Sequence, residues 1–459
     1  MDKMKQLNHF IQNHFLFLWL VLIATIVSVY YALTLPVSFD EACTYLLFTR
    51  EGLMETITNY PAPNNHVFYS VLTSISTTLP FGSILFKIRM TSIIINILTL
   101  LALYKFAVTF FSRNFGLLLV GFYAGLFLTI YYSYMARGYG LVNLFFVACL
   151  YYTFKIINDD ERQKNFLLFG LFSVLGLYTI PTFIYPIVSL SVFIIFVKPN
   201  LFWTQFKAGL GIILTAMLLY SPIIYSCGLK SIIDNPYVKP IEFIATLKSL
   251  PAYSLFTIQE ITGIHWAFVV IAIGLSVYLI WKSKEKKTIY FMLVMIFTPL
   301  VLIIIQRVNP YARVFNYCSI VFLILFLIPY KKQIERLKLS FILPLLLVIQ
   351  SVCIFNFETK IWAYEDKDWA LNITSNKIIK KIQGNHYYYT NGTLLVYNLK
   401  FDLISNGFTN YKIDEEKGKI MSADTLKKYD YIIISLDFDK TKIKKPLYKT
   451  QYYNVYSGN

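Results

Sequence analysis

Two adjacent carboxylates, Asp40 and Glu41, lie in the stretch PVSFDEACTYLLFTR, a few residues after the apolar run HFLFLWLVLIATIVSVYYALTLP. If that run crosses a bilayer, the pair sits at the far mouth of the membrane, where a carboxylate can take a proton from an incoming hydroxyl. Neighbouring residues on a helix point about 100° apart, so the two cannot share one role. One is expected to be the general base and the other to hold the loop or the acceptor. A base at a low-dielectric boundary is expected to have a raised pKa, which suits proton abstraction near neutrality.

Three further stretches carry residues suited to an anion. In YPAPNNHVFYS, Asn64, Asn65 and His66 follow a Pro-rich turn and begin a helix, whose free N–H groups can hold a phosphate together with His66. Helix capping by either asparagine is the competing reading. In YYSYMARGYGL, Arg137 stands at the outer end of a span with Tyr139 beside it, and in IIQRVNPYARVFNY, Arg307 and Arg313 bracket an outer link containing Tyr311. Snorkelling into an aromatic belt is the plain alternative for these arginines. Cations are rare on this side, however, and an outer arginine suits an anionic ligand. Lys87 and Arg89 add two more cations at the start of a span.

The elements that must position these residues follow from composition. The chain has 459 residues, 57% hydrophobic and 15% charged, with mean hydropathy +0.56. Soluble domains carry about 25% charged residues. The deficit and the repeated apolar runs indicate an all-α polytopic membrane protein. The net charge of +17 does not indicate nucleic acid, because the Lys and Arg residues concentrate in short links and in the tail. About eleven spans are expected, at 14–35, 88–111, 115–135, 141–157, 166–180, 183–197, 208–225, 265–281, 289–306, 314–330 and 339–356. Alternate links are basic, which places the N-terminus in the cytoplasm and the tail outside. At Pro181 two spans meet in a tight turn or form one broken pair.

Two outer loops are long, 36–87 and 226–264. The first is expected to hold an interfacial helix in HVFYSVLTSISTTLPFGSILF, the second short Pro-broken helices. Residues 1–356 form the membrane domain, and 357–459 form a small outer α/β domain. In the latter, YEDKDWALNITSNKIIKKI and SADTLKKY read as helices, while HYYYT, TLLVYNL and YDYIIISLDF read as strands. The five cysteines lack metal-ligand spacing. Cys43 and Cys227 alone fall clearly in outer loops, where a disulfide between them is an open option. No Cys/His metal-ligand spacing and no phosphate-cradling Gly-rich loop stands out, and no metal or other cofactor is expected.

FDEACTY after the first span, PNNHVFYS later in the same loop, ARGYGL opening a span and NPYARVFNY before a late span together resemble the GT-C superfamily. These are polytopic glycosyltransferases that use polyprenyl-phosphate sugars, and they include protein O-mannosyltransferases and the lipid A aminoarabinose transferase. KDWALNITSNKI looks like the start of the small periplasmic domain of bacterial members.

The resemblance implies a multi-pass protein of a bacterial inner (plasma) membrane, with its C-terminal domain periplasmic. It implies transfer of a sugar, with inversion, from a polyprenyl-phosphate donor to a glycan, lipid or protein hydroxyl. Asp40 matches the acid read as base or acceptor ligand, and Glu41 its supporting neighbour. His66, Arg137, Arg307 and Arg313 match the donor-phosphate partners, with Asn65, Tyr139, Tyr311, Lys87 and Arg89 in support. Related lipid A transferases often have an Arg soon after the Asp–Glu pair, where this chain has Cys43 and Thr44. The phosphate contact is therefore expected from elsewhere. An oligosaccharide ligase or polymerase and a lipid or glycan transporter are the alternatives. A transporter predicts ionisable residues in mid-membrane, whereas here they gather at the outer ends of the spans.

Overall fold

The computed structural model describes residues 2–233, 239–365, 386–390, 393–409, 411–415, 429–435, 446–449 and 453–457. A helix stands at each of the eleven expected positions. Seven of them are long and apolar enough to cross a bilayer: His14–Thr34, Ile84–Phe110, Tyr139–Ile157, Pro199–Cys227, Trp266–Ser283, Lys286–Gln306 and Leu339–Tyr364. The protein is thus a multi-pass membrane protein, built as helices packed on a core of aromatic and branched side chains.

Two expected spans differ in shape. The stretch 115–135 is not one rod but Arg113–Gly125 and Phe127–Tyr134, bent by 74°. The break falls at Leu126, which is extended. A side chain at Gly125 would meet Cys353 Sγ at 2.9 Å, so the bend needs glycine where the Leu339–Tyr364 helix passes. The stretch 314–330 reduces to the helix Cys318–Leu327 between two 3₁₀ turns. At Pro181 the expected tight turn is present. Ile180 is extended, as the residue before a proline prefers, and a 3₁₀ turn over Pro181–Phe183 restarts the helix.

In the first outer loop the interfacial stretch gives the helix Val67–Thr77, and the following span begins earlier than expected, at Ile84. In the second, the expected short helices are instead Lys230–Ile233 and one 20-residue helix, Phe243–Thr262, which continues through Pro251. The helix Leu339–Tyr364 runs past the expected domain boundary at 357. None of the five cysteines is in a disulfide; Cys43 is buried and Cys227 exposed, so the Cys43–Cys227 bridge is not formed.

The C-terminal region holds a five-stranded sheet, β1 (His386–Thr390), β2 (Tyr411–Glu415), β3 (Tyr431–Ser435), β4 (Tyr448–Lys449) and β5 (Tyr453–Ser457), in the order β2-β1-β3-β5-β4. TLLVYNL, expected as a strand, forms the helix Thr393–Ser405. The reason is topological: β1 and β2 are parallel neighbours, and a parallel pair needs a crossover rather than a hairpin. Val396, Leu399 and Leu403 fall three and four residues apart and are buried, the last two in the apolar cluster beneath the sheet with Ile433 and Val455. Tyr397 and Phe401 point the other way. Tyr397 meets Phe39 edge-on with ring centres 5.8 Å apart, and Phe401 meets Tyr45 at 5.5 Å. Of the expected helices over 364–382 and 422–429, residues 366–382 and 422–428 lie outside the described residues.

Phe401 is 2% exposed and joins the tail to the segment that carries Asp40. Phe401→Ala is expected to destabilise that contact by about 3 kcal/mol, in line with large-to-small core changes. The measurement is limited proteolysis: faster cleavage of the tail with the membrane helices intact is the expected result.

Candidate functional site

Glu41 organises the site without taking part in its open face. Ser38 caps the short helix Phe39–Cys43, and Glu41 closes the capping box by accepting the Ser38 N–H. Its carboxylate then meets Arg89, with Arg89 Nε 2.8 Å from Oε1 and Nη2 2.6 Å from Oε2, both side chains fully buried. Oε1 also accepts the Ala136 N–H at 2.9 Å. Arg89 turns its remaining donors to the carbonyls that end the first helix, at 2.7 Å from Leu35 O, 3.2 Å from Ala32 O and 2.7 Å from Pro36 O. It thus satisfies orphan helix carbonyls and completes a buried pair. Of the two acids Glu41 is thus the one that holds the loop, with Arg89 as its partner there.

Asp40 faces the other way. Its Oδ2 lies 3.2 Å from Arg313 Nη1 and 3.7 Å from Arg137 Nη2, and its side chain is 24% exposed. Burial acts to raise its pKa, but Arg137 and Arg313 outweigh it and hold the carboxyl below the usual carboxylate range. The raised pKa expected from the sequence is therefore not found.

Arg137 lies in the turn between Phe127–Tyr134 and Tyr139–Ile157, 3% exposed. It donates to Asn64 O at 2.8 Å and to Thr44 Oγ1 at 3.3 Å. Its Nε is buried and has no hydrogen-bond partner among the described residues.

His66 is buried, and burial, Arg137 and Arg313 together push its pKa well below the ordinary histidine value. The ring is therefore neutral. The Gly138 N–H donates to Nδ1 at 2.8 Å, so the single ring proton sits on Nε2. Arg137 Nη2 stands 3.2 Å from that same Nε2. Arginine can only donate, so with the ring proton on Nε2 two donors stand side by side there, with no acceptor between them among the described residues. Gly138 is required here, because a Cβ would meet His66 Cβ and Thr179 Cγ2 at 2.9 Å.

Tyr139 stands edge-on to His66 with ring centres 4.8 Å apart, and Arg313 lies over both Tyr139 (5.8 Å) and Tyr311 (4.8 Å). Tyr132 packs on Tyr139 at 4.7 Å and was not singled out from the sequence.

Other expected members are elsewhere. Asn65 is 1% exposed and fully engaged: its amide donates to Thr56 O and Asn59 O at 2.9 Å, and its oxygen accepts Ser70 Oγ at 2.9 Å. It staples the loop. Arg307 is an exposed left-handed residue ending the helix Lys286–Gln306, and it joins neither Asp40 nor Arg137. Lys87 contributes its carbonyl to Ser76 and its side chain forms no ion pair among the described residues. No group of three or more His, Cys, Asp or Glu suited to a metal occurs among the described residues.

Comparison with known proteins bears on the fold and on part of the sequence. Residues 66–225 match the model of the dolichyl-phosphate-mannose-protein mannosyltransferase family. A search of curated proteins gave no match. The fold is similar to that of ArnT from Cupriavidus metallidurans in the apo state, at TM-score 0.60 and 10% identity over 96% of this chain and 97% of that one. ArnT bound to undecaprenyl phosphate aligns at TM-score 0.54 and 11% identity, over 98% of each chain. The archaeal oligosaccharyltransferase AglB of Archaeoglobus fulgidus, solved with an inhibitory peptide and a dolichol-phosphate, aligns at TM-score 0.51 and 13% identity, over 93% of this chain and 70% of that one.

Breaking the buried pair leaves an uncompensated charge, which costs about 3–5 kcal/mol. Glu41→Ala is therefore expected to lower the melting temperature and the yield of folded protein, whereas Asp40→Asn leaves both near the wild-type values. Thermal unfolding in detergent measures the contrast, and equal melting temperatures for the two variants would contradict the division of roles. The architecture the chain shares with these proteins is the GT-C fold, and over residues 66–225 it carries the sequence pattern of the dolichyl-phosphate-mannose-protein mannosyltransferases.

Proposed function

We propose that the protein is a membrane glycosyltransferase that moves a sugar from a polyprenyl-phosphate donor to an acceptor hydroxyl, with inversion, at the outer (periplasmic) face of a bacterial inner membrane. The observation that carries this reading is the convergence of Asp40, Arg137, Arg313 and a neutral His66 from four distant stretches of chain. Arg137 and His66 Nε2–H hold the donor phosphate and stabilise the charge it gains on leaving. Arg313 bridges that phosphate and Asp40. Asp40 orients the acceptor hydroxyl and takes its proton. Tyr311, exposed beside Arg313, offers an aromatic surface suited to a sugar ring, while Tyr132 and Tyr139 pack on each other and back Arg313.

An apolar slot of about 370 Å³ runs between Trp266–Ser283, Cys318–Leu327 and Leu339–Tyr364. Leu126, Ile264, Phe322 and Phe326 are among its walls, and it suits a prenyl chain.

The low pKa of Asp40 comes from the two arginines. A phosphate bound to those arginines competes for the same charge, so Asp40 becomes a better base when the donor is in place. The sign follows directly. A depressed pKa keeps Asp40 ionised until the pH falls below the ordinary carboxylate range of about 3.9, and neutralising the arginines moves that point up.

Asp40→Asn is expected to abolish release of polyprenyl phosphate from a polyprenyl-phosphate monosaccharide, and full activity in that variant would overturn the assignment. The acid limb of kcat, which reports the bound enzyme, is expected at higher pH than the limb of kcat/KM, which reports the free enzyme. Arg313→Gln should raise the kcat/KM limb, and coincident limbs in both proteins would count against the proposed competition.

A further inference from the structure

A cavity of about 420 Å³ opens at the opposite end of the bundle from Asp40. It lies where Ile84–Phe110 and Tyr139–Ile157 end and Lys286–Gln306 begins. Arg137 is just before the start of Tyr139–Ile157, and its 19 residues span about 28 Å, so the two sites sit on opposite membrane faces. The cavity therefore belongs to the basic face, which carries the links at 113, 158–164, 198, 282–287 and 331–338.

Its inner wall is apolar: Phe154, Phe193 and Phe291 form one mutually packed aromatic group. Its rim carries Lys287, Lys331 and Lys332 against Glu285 and Glu335, an excess of one positive charge. Lys287 Nζ donates to Ile157 O at 3.2 Å and Asn158 Oδ1 at 3.0 Å, which keeps one of its three hydrogens for another acceptor. Lys331 meets Glu285 at 2.9 Å in a pair that is 41% and 46% exposed, and such a pair is weak enough to change partners. Lys332 forms no ion pair among the described residues, although it lines the same space. Three ammonium groups thus ring an aromatic floor at the depth of a membrane interface.

We infer that this cavity is a second lipid site, holding the phosphate of an anionic lipid on its lysines and the first carbons of the tail on its phenylalanines. Lysine supplies a point charge suited to phosphate, and basic pockets between membrane helices on the basic face take anionic head groups. A bilayer phospholipid and a polyprenyl phosphate present the same chemistry, and the experiment separates them. The inference does not depend on the transferase reading, because it concerns the other face.

The test is native mass spectrometry of the full-length protein in detergent. The probes are phosphatidylglycerol, phosphatidylcholine with the same chains, undecaprenyl phosphate and inorganic phosphate. Lys331→Gln and Lys332→Glu remove rim charge at partly exposed positions, and Arg313→Ala is the control at the far end. The expected result is one retained equivalent of phosphatidylglycerol, at least ten-fold weaker in Lys332→Glu, weaker also in Lys331→Gln, and unchanged in Arg313→Ala. A lysine-dependent equivalent of undecaprenyl phosphate alone also supports a lipid-phosphate site and assigns it to the prenyl kind. Retention of phosphatidylcholine as strong as phosphatidylglycerol, no effect of either lysine change, or inorganic phosphate bound as well as the lipids would overturn the inference.

Discussion

The buried pair between Arg89 and Glu41 fixes everything around the candidate site. Two opposite charges with fully buried side chains survive only if their remaining donors and acceptors are used. Glu41 uses its lone pairs on Arg89, Ser38 N–H and Ala136 N–H, and Arg89 uses its outer donors on the carbonyls that finish the first helix. These bonds tie together the end of one span, the start of another, the cap of the Asp40 helix and the turn that presents Arg137. A single ion pair therefore sets the relative positions of Asp40 and Arg137. It also explains why adjacent acids have different fates, since the residue facing inward meets Arg89 and its neighbour is left toward Arg137 and Arg313.

Much of this could be read from the chain, and the parts that could not share a cause. Asp40, Arg137 and Arg313 stood out because charge at the outer ends of spans is unusual, and the structure brings them together. Lys87 and Arg307 carried the same signal yet lie apart from the cluster. Sequence gives the depth of a residue in the membrane but not its rotation about the helix axis. Arg89, two residues beyond Lys87 on a helix, points about 200° away from it and so enters the core. Asn65 was legible as a polar loop residue, but its role as a staple depends on the return of Thr56 and Asn59. Gly138 carried a readable signal, a glycine directly after the buried arginine, and Tyr132 gave none beyond its place in a tyrosine-rich run.

Spans were legible as apolar runs, while bends were not. The 74° break near Gly125 and the shortened helix Cys318–Leu327 leave hydropathy unchanged. Both affect what the site contains, because the break delivers Phe127–Tyr134 to the turn holding Arg137, and the 3₁₀ turn Ala312–Phe315 delivers Arg313. The misread strand at TLLVYNL has a similar origin. Its apolar residues satisfy two faces at once, one toward the sheet and one toward Phe39 and Tyr45. A helix with two partners loses the one-sided pattern by which helices are recognised. The tail is thereby packed against the segment Phe39–Thr49, whose second half, Thr44–Thr49, is π-helical. Such turns recur at functional sites, and Thr44 itself receives a hydrogen bond from Arg137.

The electrostatics of the cluster also bear on the order of events. With His66 neutral, Arg137 and Arg313 exceed Asp40 by one positive charge. On the proposed reading, a donor phosphodiester brings one negative charge and balances the group. During transfer the phosphate leaves with a second negative charge, while Asp40 gains a proton and loses its own. The total inside the site does not change, because the charge that leaves the carboxylate reappears on the phosphate a short distance away. A low-dielectric chamber favours such a step, since no net charge has to be created or solvated within it. The same balance argues against a cationic histidine at His66, which would leave one positive charge uncompensated once the donor is seated. Burial of His66 beside two arginines is thus part of how the site sets its charge, and the Gly138 N–H directs the ring's one proton to the nitrogen beside Arg137, where the proposed donor phosphate would sit.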